Sequence, residues 1–281
     1  MPKDPQIFRA KKQAGEPIVM LTCYDFPTAQ LEDAAGVDII FVGDSVGTNM
    51  LGYAAETEVT MADMLHHTRA VRRGVERAYL LADLPYRAYE TPQLALENAH
   101  LLLAAGADGV KLEGGVDQAP IVAALVADGI AVCGHIGFTP QTLGTKGRIQ
   151  GKTLEQGQVI VRAAQAMERA GAFLLVMELV TEPISRLITE QLTIPTIGIG
   201  SGRYCDGQVL VVTDLLGLST FERKLNKRYE NLHERVGTAM SQYVQEVRER
   251  QFPTEANAFQ NISEEEVTQL RAWVQRGMPD E

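Results

Sequence analysis

The sequence predicts an α/β fold, a (β/α)8 barrel followed by an extra C-terminal helix. Eight short apolar runs recur along the chain, most of them followed by helix-like stretches. Their interiors are near-continuously apolar rather than alternating, as in parallel strands covered on both faces. Three helix exits read AAGVD, AAGAD and RAGAF, each placing a glycine just past a helix end and just before a strand. Eight strands alternating with helices over about 250 residues suit a closed barrel. A doubly wound open sheet is the structural alternative.

The strands are expected at IVMLTCY (18–24), DIIFVGD (38–44), YLLADLP (79–85), GVKLEG (109–114), AVCGHIG (131–137), FLLVMEL (173–179), TIGIGSG (196–202) and VLVVTDLLG (209–217). Amphipathic stretches at 91–107 and 154–172 supply helices between them. The six residues RYCDGQ leave too little chain for a crossover helix between the last two strands. A short helical turn, or a displaced eighth strand, is expected there. Residues 221–250 read as a long closing helix, either continuous or with a break. Beyond it, Ser263 with Glu266 three residues later is a capping box, so a small helix starts there. One barrel domain over 1–259 and a helical extension over 260–281 are expected.

Composition narrows the function. The chain has 281 residues, 45% hydrophobic and 22% charged, with a formal net charge of −10. Nothing basic offers a footprint for nucleic acid. No apolar run reaches the length that spans a bilayer. The first residues are polar and lack the apolar core of a secretory leader. Cys23, Cys133 and Cys205 are odd in number and widely spaced, with no CxxC. They argue for a reducing compartment, hence the cytoplasm, and against a disulfide framework or a zinc ribbon.

In a barrel of this kind the chemistry stands at the C-terminal ends of the strands. Asp44-Ser45 end strand two, Asp83 strand three, Lys111 and Glu113 strand four, His135 strand five and Glu178 strand six. Four carboxylates at one mouth repel each other, and a divalent cation relieves that repulsion. Carboxylates, water and substrate oxygens are the ligand set of Mg²⁺. Asp44, Asp83 and Glu113 end three successive strands, so their tips should be neighbours and are the metal candidates. Each also has a plainer role: an Asp or Ser can cap the next turn, a lysine can snorkel, and a histidine can bond a backbone carbonyl in the core. Alternation puts Lys111 on the same face as Glu113, where it would bind an anionic substrate. Glu178 follows a run of apolar and soft residues, a setting that suits a general base. His66 and His67 are adjacent in a predicted helix, point about 100° apart and are expected to be structural. The glycines of IGIGSG (197–202) lack GxGxxG spacing and read as backbone clearance.

These residues sit in stretches that resemble ketopantoate hydroxymethyltransferases: TCYD (22–25), VGDSVG (42–47), LLADLPY (80–86), VKLEGG (110–115), CGHIGFTPQ (133–141), LLVMELV (174–180) and IPTIGIGSG (194–202). The resemblance runs in order over about residues 5–259. It implies a barrel of the phosphoenolpyruvate/pyruvate group. It implies Mg²⁺ on Asp44 and Asp83 with Glu113 alongside, and a 2-oxo acid bound by Ser45, Lys111 and His135. Glu178 is then the base, and 5,10-methylenetetrahydrofolate the one-carbon co-substrate in pantothenate synthesis. The family also implies a homo-oligomer, a decamer of two stacked pentamers. Two stretches depart from the family pattern. TLGTKGRIQGK (142–152) is shorter and lacks an aromatic, and Glu222-Arg223-Lys224-Leu225 replaces a Pro-Lys-Phe motif. A Mg²⁺-dependent lyase or mutase on another 2-oxo acid is the rival enzyme reading. A barrel that binds a keto acid without turnover is the non-catalytic one.

Overall fold

Eight parallel strands close on themselves in the order of the chain, each paired with its neighbours and the eighth with the first. A computed structural model describes residues 3–144, 147–219 and 224–277. The strands are β1 (Ile18–Thr22), β2 (Ile39–Val42), β3 (Tyr79–Asp83), β4 (Gly109–Glu113), β5 (Val132–Gly137), β6 (Leu174–Glu178), β7 (Thr196–Ile199) and β8 (Gly207–Leu210). The helices are α1 (Gln6–Ala14), α2 (Phe26–Ala35), α3 (Met61–Arg72), α4 (Pro92–Ala104), α5 (Ala119–Ala127), α6 (Pro140–Leu143), α7 (Leu154–Arg169), α8 (Glu182–Gln191), α9 (Val212–Leu215), α10 (Leu232–Arg248) and α11 (Glu264–Gln275). The closed ring settles the choice against an open sheet.

Alternation along the strands sorts the core into two layers. Met20, Ile39, Phe41, Tyr79, Leu81, Cys133, Leu174, Val176, Ile197 and Val209 fill the barrel interior. The residues between them, such as Ile40, Leu80, Val110, Val132 and Leu175, pack outward in the layer of buried apolar side chains that includes Met64, Leu102, Val122 and Met167 of the helices. Both faces are therefore buried, which is why the strands read as unbroken apolar runs. Phe8 of α1 is fully buried and meets Tyr79 edge-on at 5.4 Å. It belongs to the interior layer and closes it at the N-terminal ends of the strands.

The helix boundaries follow local chemistry. Asp25, Thr91 and Thr153 each accept a hydrogen bond from a first-turn amide of α2, α4 and α7. Gly36 ends α2 in the left-handed region. Two expectations are corrected. Strand eight lies at Gly207–Leu210, two residues earlier than the apolar run suggested, and Val212–Leu215 is a short helix. Asp206 fixes the start of β8 by accepting from Lys12 Nζ and the Thr196 amide, and no crossover helix stands before it. Of the helix expected over 221–250, the described residues form α10, Leu232–Arg248. Residues 220–223, including Glu222 and Arg223 of the departing motif, lie outside the described residues. After them the Asn226 amide donates to Asp214 and the Tyr229 N–H to Leu215 O, bonds that hold this stretch against α9 instead of in a helix.

The chain divides into two compact units, Met1–Glu230 and Asn231–Glu281. The first is the barrel. The second carries α10 and α11, with Tyr243 against Phe252 and Ser263 and Glu266 forming the expected capping box at the start of α11. Among the described residues no helix is long and apolar enough to cross a membrane.

Candidate active site

The inward-facing parity that fills the barrel also aims its polar residues. Tyr79 and Leu81 point inward, so Asp83 does; Lys111 and Glu113 follow the same rule on β4, His135 on β5 and Glu178 on β6. Register then brings them level. Asp83 stands beside Lys111, Glu113 beside His135, and Gly137 beside Glu178. Asp44 and Ser45 come just past the end of β2.

Asp83 and Lys111 form the centre. Lys111 Nζ donates to Asp83 Oδ1 at 2.6 Å, and the other oxygen of Asp83 accepts the Asp44 amide at 3.0 Å. Both side chains are almost fully buried. Burial works against the charge on Lys111, but Asp83, Asp44 and Glu113 outweigh it and raise its pKa far above the ordinary value. The ammonium also lies 5.1 Å over the Phe41 ring. Burial drives the Asp44 pKa well up, and repulsion from Asp83 and Glu113 adds to that. Burial likewise raises Asp83, with Lys111 pulling the other way. The snorkelling alternative for Lys111 is therefore excluded.

Gln141, which the sequence reading passed over, ties the cluster together. Its Nε2 donates to Asp44 Oδ2 at 2.8 Å, and its backbone amide donates to Glu113 Oε2 at 3.0 Å. Its Oε1 accepts from the Tyr89 hydroxyl. One residue, through its side chain and its backbone amide, thus fixes carboxylates from two strand ends. The available signal was the TPQ that follows His135, a threonine and a first-turn proline that start α6 just past β5 and so put Gln141 near the strand end. Tyr24 was also missed; its hydroxyl lies 2.9 Å from Ser45 Oγ.

His135 sits between two acids. Its Nδ1 is 3.3 Å from Glu113 Oε1 and its Nε2 3.4 Å from Glu178 Oε2. Neither approach is aligned as a hydrogen bond, so both buried nitrogens lack one. Burial and Lys111 favour the neutral ring, but Glu113 and Glu178 outweigh them and lift the pKa to about 9. No backbone carbonyl bonds this ring, unlike that of His67, whose Nδ1 meets Tyr24 O at 2.7 Å in a structural role.

Glu178 is a fifth exposed and is the acid of the group with access to solvent. Its position is held by backbone. Phe138 N–H donates to Glu178 O, and a side chain at Gly137, where φ is 96°, would come within 2.3 Å of that same oxygen. Leu179 follows in the left-handed region at φ 52°, a conformation that costs a branched residue on the order of 1 kcal/mol. It turns the chain sharply at the strand tip, where Gly200 leaves room for its side chain.

Among the described residues no three His, Cys, Asp or Glu converge as a complete metal set. Glu113 is engaged by Gln141 and His135. Asp44 and Asp83 remain as adjacent buried carboxylates with a single lysine between them and their neighbours. One or two carboxylates completed by water and substrate oxygens is the usual protein share of a Mg²⁺ site, so the donor set fits that ion.

Known proteins match this chain and its barrel. The family model described as ketopantoate hydroxymethyltransferase matches residues 4–255. A 3-methyl-2-oxobutanoate hydroxymethyltransferase of Thermotoga neapolitana is 48% identical over 262 residues, covering 91% of this chain and 97% of its own. One of Chloroflexus aurantiacus is 48% identical over 245 residues, covering 86% and 87%. Among solved structures, a phosphonopyruvate hydrolase in complex with oxalate and Mg²⁺ superposes with a TM-score of 0.60 at 16% identity, over 97% of this chain and 96% of the other. A 2,3-dimethylmalate lyase, of the PEP mutase/isocitrate lyase superfamily, does so with 0.59 at 13%, over 99% and 100%. At those identities the structures share the barrel and carry no residue assignment. The sequence matches go further, and by them the chain belongs to the ketopantoate hydroxymethyltransferase family.

Proposed function

We propose that the protein transfers a hydroxymethyl group from 5,10-methylenetetrahydrofolate to 3-methyl-2-oxobutanoate, giving ketopantoate. The observation that carries this reading is the buried lysine among inward-facing carboxylates, with Glu178 standing apart at the solvent edge. Lys111 and Ser45 bind the carboxylate and keto oxygens of the 2-oxo acid, and Tyr24 orients the Ser45 hydroxyl. His135, whose ring nitrogens lack aligned partners, donates to a substrate oxygen. Asp44 and Asp83 would hold Mg²⁺, with Glu113 alongside. The ion, when bound, supplies Lewis-acid polarisation of the keto oxygen.

Glu178 removes the proton from C3, and the enolate charge is met by Lys111 and His135. C3 then bonds to the one-carbon unit. One water is consumed, the hydroxymethyl group stays on C3, and tetrahydrofolate leaves. Exposed Leu31, Leu101 and Leu187 on the outer helices are consistent with a homo-oligomer.

The test is exchange at C3 of the keto acid in D₂O, followed by proton NMR with Mg²⁺ and no folate. Metal-dependent loss of the C3 proton is expected. A folded protein that exchanges nothing would overturn the assignment.

A further inference from the structure

A cavity of about 580 Å³ opens beside the acid cluster, between the loops after β3 and β4, the turn after β5 and the side chains of α7. Glu113 and Gln141 line both it and the cluster, so the two spaces share a wall. The volume is that of a site for a drug-sized molecule and far exceeds what a five-carbon keto acid needs. Its walls are of mixed character. Val116 of the loop after β4 and Val159 of α7 both line it, and both are more than half exposed although apolar. Ile136 and Ile160 complete the apolar surface. Gln118 lines it too, and its Oε1 is shut off from solvent without any hydrogen-bond partner. A buried acceptor left unpaired is costly, and a rotation of the Gln118 amide toward the cavity would let a ligand N–H relieve that cost. Arg87, exposed and paired with Glu90 at 3.6 Å, is the only basic side chain lining the cavity among the described residues.

We propose that this cavity seats the one-carbon donor, its flat pterin between the Val116 and Val159 walls with an N–H edge toward Gln118. This rests on the hydroxymethyltransferase reading above and adds a location to it. A pterin matches the cavity on each count. It is planar and partly apolar on its faces, and its amide and amine edge is rich in N–H donors that an orphaned carbonyl can accept. A carboxylate tail leaving past Arg87 meets the basic group there. The shared wall of Glu113 and Gln141 brings the carried carbon next to the keto acid.

The probe is tetrahydrofolate, titrated calorimetrically into the full-length protein. Val159→Trp fills the cavity from an exposed helix position, and Gln118→Leu removes the acceptor at similar size. Val159→Trp should weaken binding at least tenfold, and Gln118→Leu several-fold. In turnover, the KM for the donor should rise in both far more than kcat falls. Binding within twofold of the wild type in both variants would overturn the proposal, as would a wild type that does not bind tetrahydrofolate. If Val159→Trp fails to fold, Gln118→Leu decides. The two readings fail separately. C3 exchange by the wild type needs no folate, so its absence would sink the keto-acid chemistry; a wild type that binds no tetrahydrofolate would sink the folate donor together with the cavity, and wild-type affinity in both variants would sink the cavity assignment alone.

Discussion

Lys111→Met removes the ammonium that faces Asp83, Asp44 and Glu113 while keeping the length and apolar stem of the side chain. At 2.6 Å from Asp83, the pair is worth about 6 kcal/mol of Coulomb energy at an effective dielectric of 20. Desolvation of both charges cancels part of it. What the substitution exposes is the uncompensated carboxylate, and breaking one side of a buried pair costs about 3–5 kcal/mol. For a chain of this size that is a fall in Tm of roughly 10 °C. The assay is denaturant unfolding at pH 8 and at pH 5.5. Without its lysine, the Asp83 pKa rises further above the unfolded value. The stability deficit should therefore be largest at high pH and shrink as the pH falls and the carboxylate takes a proton. Adding Asp83→Asn to Lys111→Met should recover much of the loss, since the orphaned charge is then gone. A deficit below about 1 kcal/mol at pH 8, or no recovery in the double variant, would refute a buried ion pair as the centre of this site.

Glu178→Gln should retain keto-acid binding and lose C3 exchange; exchange at the normal rate would remove Glu178 from the role of base. Gln141→Leu takes donors from Asp44 and an acceptor from Tyr89, so it should cost about 1–3 kcal/mol of stability and lower kcat more than it raises the keto-acid KM. Steady-state kinetics read the split, and unchanged kcat would show that Gln141 does not position the carboxylates. Glu32 of α2 is buried with both oxygens unpartnered, and burial, then Asp25, lifts its pKa to about 8. Its folded pKa exceeds the unfolded value of 4.5, so the unfolded state ionises first. Stability is full below pH 4.5 and falls toward pH 8 by up to about 1.4 kcal/mol per unit. Glu32→Gln should flatten that slope in urea titrations at stepped pH, and an unchanged slope would place its origin elsewhere.

Much of this was legible along the chain because a parallel barrel writes its plan locally. Strands buried on both faces must be apolar throughout, and the helix exits must turn on glycine, so the eight runs and their order could be read directly. Strand parity made Lys111 and Glu113 share a face, and the repeated acids at strand ends placed Asp44, Asp83 and Glu113 side by side. Other features needed the closed ring. The start of β8 depends on Asp206 reaching Lys12 and Thr196, contacts that no local pattern encodes, and so the apolar run VLVV misled. Tyr24 and Gln141 are ordinary polar residues in sequence. They matter because closure brings Tyr24 to Ser45 and lets Gln141 bridge carboxylates from strand ends far apart along the chain. The same holds for the cavity beside them, whose walls come from α7 and from the loops after β3, β4 and β5. The sequence by itself determined which residues could do chemistry and on which face of each strand they stand. Only the tertiary structure decided which of them touch, because the distances that set charge, protonation and access arise between segments that local propensity never compares.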